Sequence, residues 1–73
     1  MRPYVPMYRR ILNDLRVKIE RGLLKPGDKL PTTKELADEY QTSVGTARKA
    51  VEILLEAGVV EGRQGLGVFV PDE

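Results

Sequence analysis

Cysteine and histidine are both absent from this chain of 73 residues. Without cysteine there can be no disulfide, no thiolate zinc cluster and no thiol chemistry, a composition suited to a reducing compartment, so a cytoplasmic location is expected. Without histidine the usual general base near neutral pH and the commonest neutral metal ligand are missing. An excess of one charge sign is lacking too: twelve basic against eleven acidic side chains leave a formal +1, so any basic patch must be local. No apolar run approaches the roughly 20 residues that a membrane span needs, and the N-terminus has no signal-peptide apolar segment. A chain of this length makes one small domain that buries only about 60% of its unfolded surface, leaving little room for a deep substrate pocket. Neither an enzyme nor a cofactor, metal or membrane partner is expected.

What is present is periodic. Tyr8, Leu12, Leu15 and Ile19, joined by Ile11, recur at helical spacing, with Arg9, Arg10, Asp14, Arg16, Lys18 and Glu20 on the other faces. This predicts an amphipathic first helix over about 6–21, stopped by Gly22. Leu23 to Pro31 then form a connector in which Pro26-Gly27 suits the centre of a type II turn. Leu23, Leu24 and Leu30 are expected to fold back onto the core, and Lys29-Leu30 to form a very short strand. Thr32 and Glu35 have capping-box spacing for a second helix over about 33–40 that carries Leu36, Ala37 and Tyr40. After Gln41-Thr42, Ser43 caps a third helix over about 44–57, with Val44, Ala47, Ala50, Val51, Leu54 and Leu55 expected to face inward and Gly58 to end it. Two helices joined this closely have helix-turn-helix spacing.

The period then changes. Val59-Val60 and Val68-Phe69-Val70 bracket a segment with Gly62, Gly65 and Gly67, which reads as a hairpin over about 59–70. The expected fold is therefore mainly α with a small β-hairpin: a winged helix-turn-helix of three helices followed by a two-stranded wing, in one domain covering 1–73.

In such a fold the helix after the turn enters the DNA major groove with its N-terminal residues at base edges. Gly45, Thr46, Arg48 and Lys49 point away from the core there, and no acidic residue lies between Tyr40 and Val51. Arg48 suits a bidentate contact to guanine O6 and N7, Thr46 a base or phosphate, and Thr42 a phosphate. Gly45 lets the backbone come close. Exposed basic residues are commonly no more than a solvated helix face; their place on the second helix of a helix-turn-helix favours the DNA role. In the wing, Gly65 suits entry into the minor groove while Arg63 or Gln64 meets phosphate or base acceptors, though glycines also simply satisfy hairpin geometry. Lys34 sits in the first turn of the second helix, where a cation opposes the helix dipole by up to ~1 kcal/mol, so a phosphate partner would explain it. Arg2, Arg9 and Arg10 are further candidates for phosphate. Catalysis has no comparable set: no nucleophile–base pair can be assembled, and Gly62-x-x-Gly65-x-Gly67 lacks the strand-then-helix setting of a phosphate loop.

From Pro6 to Val70 the chain resembles the N-terminal domain of the GntR family of bacterial transcription regulators. The likeness rests on Leu23-Leu24-Lys25-Pro26-Gly27-Asp28-Lys29-Leu30-Pro31, Glu35-Leu36-Ala37, Thr46-Ala47-Arg48-Lys49-Ala50-Val51, and Gly65-Leu66-Gly67-Val68-Phe69-Val70. The resemblance implies DNA-contact roles for Thr46, Arg48 and Gly65, with Gln64 at a wing-tip position. Three places depart from the family pattern: Thr32 stands where a serine is usual, Lys34 stands where an arginine is usual, keeping the charge without the bidentate fork, and Val44 replaces a DNA-contacting arginine. The family also implies that this is the DNA-binding part of a longer regulator, a repressor that binds a pseudopalindromic operator as a homodimer and takes a small-molecule effector in a separate C-terminal domain. The rival reading is a winged helix that serves as a protein-interaction module without DNA binding.

Overall fold

The computed structural model describes residues 5–72. In chain order it contains α1 (Met7–Glu20), α2 (Thr33–Glu39), α3 (Val44–Glu56), β1 (Glu61–Arg63) and β2 (Gly67–Phe69). The stripe of α1 is turned inward, with Ile11 and Leu15 buried and Tyr8, Leu12 and Ile19 half-buried against them. They pack on α3 through Ala47, Ala50, Val51 and Leu54, while Leu36 and Ala37 bring α2 to the same core. The alanines let the helices approach closely, and Ile11, Leu15, Leu36 and Leu54 are each fully buried. Removing such a side chain from water is worth about 1.5–3 kcal/mol.

All three helices close in the same way. After the last helical turn one residue takes a positive φ, and the next donates its N–H back across the turn. The bonds are Leu23 to the Lys18 carbonyl at 2.8 Å, Thr42 to Ala37 at 2.9 Å and Val59 to Leu54 at 3.0 Å. The positive-φ residues are Gly22 and Gly58 for α1 and α3, but Gln41 (φ 53°) for α2. Gln41 thus holds the turn of the helix-turn-helix in a conformation that glycine adopts at no steric cost. The turn is fixed further by the Tyr40 hydroxyl, which donates to Asp14 Oδ2 at 2.7 Å and ties the end of α2 to α1. Burial first, then the bond to Asp14 and its charge, raise the Tyr40 pKa far above the ordinary phenol range.

The end of α1 corrects one expectation. Leu23 does not fold back onto the core but is 69% exposed, because the positive φ of Gly22 turns the chain outward at that point. Leu24 and Leu30 do pack on the core. Beyond them, Asp28 donates to the Lys25 carbonyl at 2.9 Å across Pro26-Gly27, where Gly27 has the φ of 87° that a type II turn requires.

The wing is the antiparallel pair β1–β2, with Glu61 opposite Phe69 and Arg63 opposite Gly67. The connector joins it as a third, rudimentary strand: Lys29 bridges Phe69, and Leu30 donates to the Val68 carbonyl at 2.8 Å. Two more backbone bonds, Gly27 to Val70 and Val70 to Asp28, each 2.8 Å, tie the wing to the chain between α1 and α2. Val60 and Val70 bury their side chains below it. The wing is therefore anchored at its base and free at its tip.

Candidate nucleic-acid interface

The N-terminus of α3 is built around Ser43. Its Oγ accepts the backbone N–H of Thr46 at 3.1 Å and donates to Thr46 Oγ1 at 2.9 Å. The cap satisfies an otherwise orphaned backbone donor and fixes the Thr46 hydroxyl, whose own hydrogen is left to donate outward. Arg48 is exposed one turn further on, and among the described residues no carboxylate pairs with it.

Gly45 lies on the same exposed end. Its φ is not positive, and a Cβ there would meet only Ser43 Oγ, at 4.0 Å. The fold does not require a glycine at this place, although glycine inside a helix costs about 0.5–1 kcal/mol relative to alanine. Close approach of a partner to the backbone would account for it. Val44 departs from expectation: it is 39% exposed and outside the buried cluster. As the first residue of α3 it stands on the flank of the stripe formed by Ala47, Val51 and Leu54, ahead of the point where the helix enters the core.

Lys34 is exposed in the first turn of α2. The capping box beside it is complete, with Thr32 N–H donating to Glu35 Oε1 at 2.8 Å and Glu35 N–H to Thr32 Oγ1 at 3.1 Å. Thr42 is half-buried at the turn. Lys49 is exposed but directed, its Nζ lying 4.2 Å from the centre of the Tyr8 ring, a cation–π contact that braces α3 against the start of α1. Arg9 and Arg10 are exposed on α1, and Arg10 lies near enough to Tyr40 to oppose the rise in its pKa. Arg2 lies outside the described residues.

In the wing, Gln64 and Gly65 are exposed at the tip, with Gly65 at φ 77°. Arg63 is engaged within the wing. Its Nε and Nη2 donate to Glu61 Oε2 at 3.1 and 2.9 Å, Nη2 reaches Asp72 Oδ2 at 3.4 Å, and the guanidinium lies 4.5 Å from the centre of the Phe69 ring. The structure brings Gly45, Thr46 and Arg48 onto one end of α3 and leaves Gln64 and Gly65 free, whereas Arg63 and Lys49 carry internal contacts.

Two residues that the sequence did not single out also belong to this surface. Lys29 crosses the base of the wing, where a Cβ on Gly67 would come within 2.8 Å of its Cε. Gly67, at φ 126°, has neither the backbone conformation nor the space for a side chain. Leu66 is 62% exposed at the tip. The bridge from Lys29 to Phe69 was readable as a short strand, but its position under the wing depends on a pairing across some forty residues. Leu66 was signalled by a large apolar residue between two turn glycines.

Three helices, a close turn, a capped and acid-free start to α3 and an anchored hairpin define a winged helix-turn-helix. Residues 7–70 match the family described as "Bacterial regulatory proteins, gntR family", and the chain belongs to that family. It is 44% identical over 68 residues to the mannosyl-D-glycerate transport/metabolism system repressor MngR of Escherichia coli (strain K12), covering 93% of this chain and 28% of that protein. It is 32% identical over 71 residues to the HTH-type transcriptional repressor YtrA of Bacillus subtilis (strain 168), covering 97% and 55%. The chain thus spans between about a quarter and about half the length of these relatives. Among solved structures, AraR(DBD) in complex with operator ORR3 superposes with a TM-score of 0.88 at 31% identity, covering 96% of this chain and 84% of that one.

Proposed function

We propose that this domain binds double-stranded DNA in a sequence-specific manner as the operator-reading part of a transcription regulator, a repressor like the two relatives that bear that name. The N-terminal end of α3 enters the major groove, where Arg48 contacts guanine and Thr46 donates to a base or phosphate. The wing tip enters the adjacent minor groove through Gly65 and Gln64. Lys34, Lys29, Arg9 and Arg10 neutralise phosphates, Thr42 donates a hydrogen bond to one, and together they set the docking angle. Lys49 adds positive potential from its braced position, whereas the charge of Arg63 is offset by Glu61 and Asp72.

The observation that carries this reading is Gly45. It is a helical glycine that neither φ nor packing requires, followed by Thr46, which Ser43 holds, and by Arg48, which is exposed and meets no carboxylate among the described residues. A duplex approaching the backbone gives all three residues a use. Two such domains in a homodimer would meet the halves of a pseudopalindromic operator, since protein symmetry is mirrored in half-site symmetry. A small-molecule effector would act through a domain outside this one.

The test is anisotropy of labelled duplexes against salt. Binding should weaken linearly on a log–log plot, and Lys34→Ala should reduce the slope by about one unit while affecting all sequences alike. A protein-interaction module would show no such slope.

A further inference from the structure

We infer that Val44 is a specificity-determining residue whose isopropyl group reads the C5-methyl of a thymine, about two base steps from the base that Arg48 contacts. The inference rests on the DNA-binding reading above. Val44 is the first residue of α3 and is 39% exposed, while the aliphatic side chains that follow it on the stripe, Ala47, Val51 and Leu54, are buried. Val44 and Arg48 are four positions apart, so they share one flank of the helix about 6 Å apart along its axis, close to two base steps of ~3.4 Å. Gly45 offers no side chain to hold the duplex away from Val44.

Chemistry then selects the base. Valine has no donor or acceptor, so against guanine, cytosine or adenine it would strip water from polar edge atoms without replacing the bonds. The thymine methyl is the one apolar group on the major-groove edge of unmodified DNA. Valine is also stiff at χ1 in a helix, so little rotamer freedom is lost on contact. The turn that presents it is already locked by the bonds from Ser43 to Thr46.

The experiment starts from a randomised duplex pool selected by this domain at low salt. In the enriched duplex each thymine is then replaced singly by deoxyuridine, which removes the methyl and nothing else. One thymine, within about two base pairs of the guanine whose effect disappears in Arg48→Ala, should weaken binding roughly fourfold when demethylated, the worth of a buried methyl. Val44→Ala, with its fold checked by its amide spectrum, should show a similar loss on the thymine duplex and no further loss on the deoxyuridine one. Val44→Arg should move the preference at that position from thymine to guanine. An enriched duplex in which every deoxyuridine is neutral, or in which the two losses simply add, overturns the inference while leaving the DNA-binding reading intact. Failure of the domain to enrich any duplex overturns both.

Discussion

The backbone N–H of Thr46 and its hydroxyl both meet one atom, Ser43 Oγ, at 3.1 and 2.9 Å. One side chain thus caps α3 and fixes the Thr46 hydroxyl, a folding task and, in the proposed reading, a recognition task. The two can be separated. Ser43→Gly should cost only a few tenths of a kcal/mol of stability, because glycine is itself an acceptable cap. It should nonetheless weaken binding to a selected duplex by several-fold, because the Thr46 hydroxyl is released. Chemical denaturation and anisotropy on the same sample check both numbers, and binding equal to wild type would show that Thr46 needs no orienting.

Gly45→Ala should divide stability from function in the opposite sense. The added methyl has room, with its nearest neighbour at 4.0 Å, so the fold should gain about 0.5–1 kcal/mol. DNA binding should fall, because the same methyl stands between the helix backbone and the groove. A domain stabilised without loss of affinity would remove Gly45 from the interface.

Gln41 carries the positive φ that glycines carry after the other two helices. Gln41→Gly should raise stability by up to ~1 kcal/mol, the strain of a left-handed residue offset by the chain entropy of glycine. Thermal melts check it. A destabilised variant would mean that the glutamine side chain contributes more than its backbone costs.

Glu61 takes two donor atoms of Arg63, which reduces what the guanidinium can offer to a phosphate. Glu61→Gln should therefore tighten duplex binding several-fold at low salt and steepen the salt slope by up to about one unit. An unchanged slope would mean that Arg63 serves only to hold the wing to Phe69 and Asp72.

Tyr40 gives a signed pH dependence. Its folded pKa is raised by burial and by the bond to Asp14, so the stability it contributes is fully present below the ordinary phenol pKa near 10 and is lost as pH rises toward the folded value. Tyr40→Phe should be less stable than wild type at pH 7, by about 0.5–1.5 kcal/mol for one hydrogen bond, and the gap should narrow in strong alkali. A constant gap would show that the phenol does not titrate with unfolding.

Much of this architecture was legible in the chain because it is written in local chemistry. The α1 stripe, the capping box of Thr32 and Glu35, the Ser43 cap and the Pro26-Gly27 turn involve residues close in sequence, and spacing reveals them. What spacing missed depends on where a helix begins relative to the core and on distant pairing. Val44 fits the inward period of α3 yet precedes the point of burial, and Leu23 reads as a core leucine until Gly22 turns it outward. The pairing of Arg63 with Asp72, and Lys29 lying beneath Gly67, arise only when the hairpin folds back on the connector. Periodicity therefore located α3, but not which of its cations and apolar residues remain free.

The central claim is that DNA docks on the start of α3 and the wing tip, and the most direct test is an amide chemical-shift titration of the domain with a mixed-sequence duplex at low salt. Shifts should gather on Lys34, Val44, Gly45, Thr46, Arg48 and Gly65 and reverse when salt is added. Shifts confined to the outer face of α1 and absent from α3 and the wing, or none at all, would contradict the account and point to a protein partner.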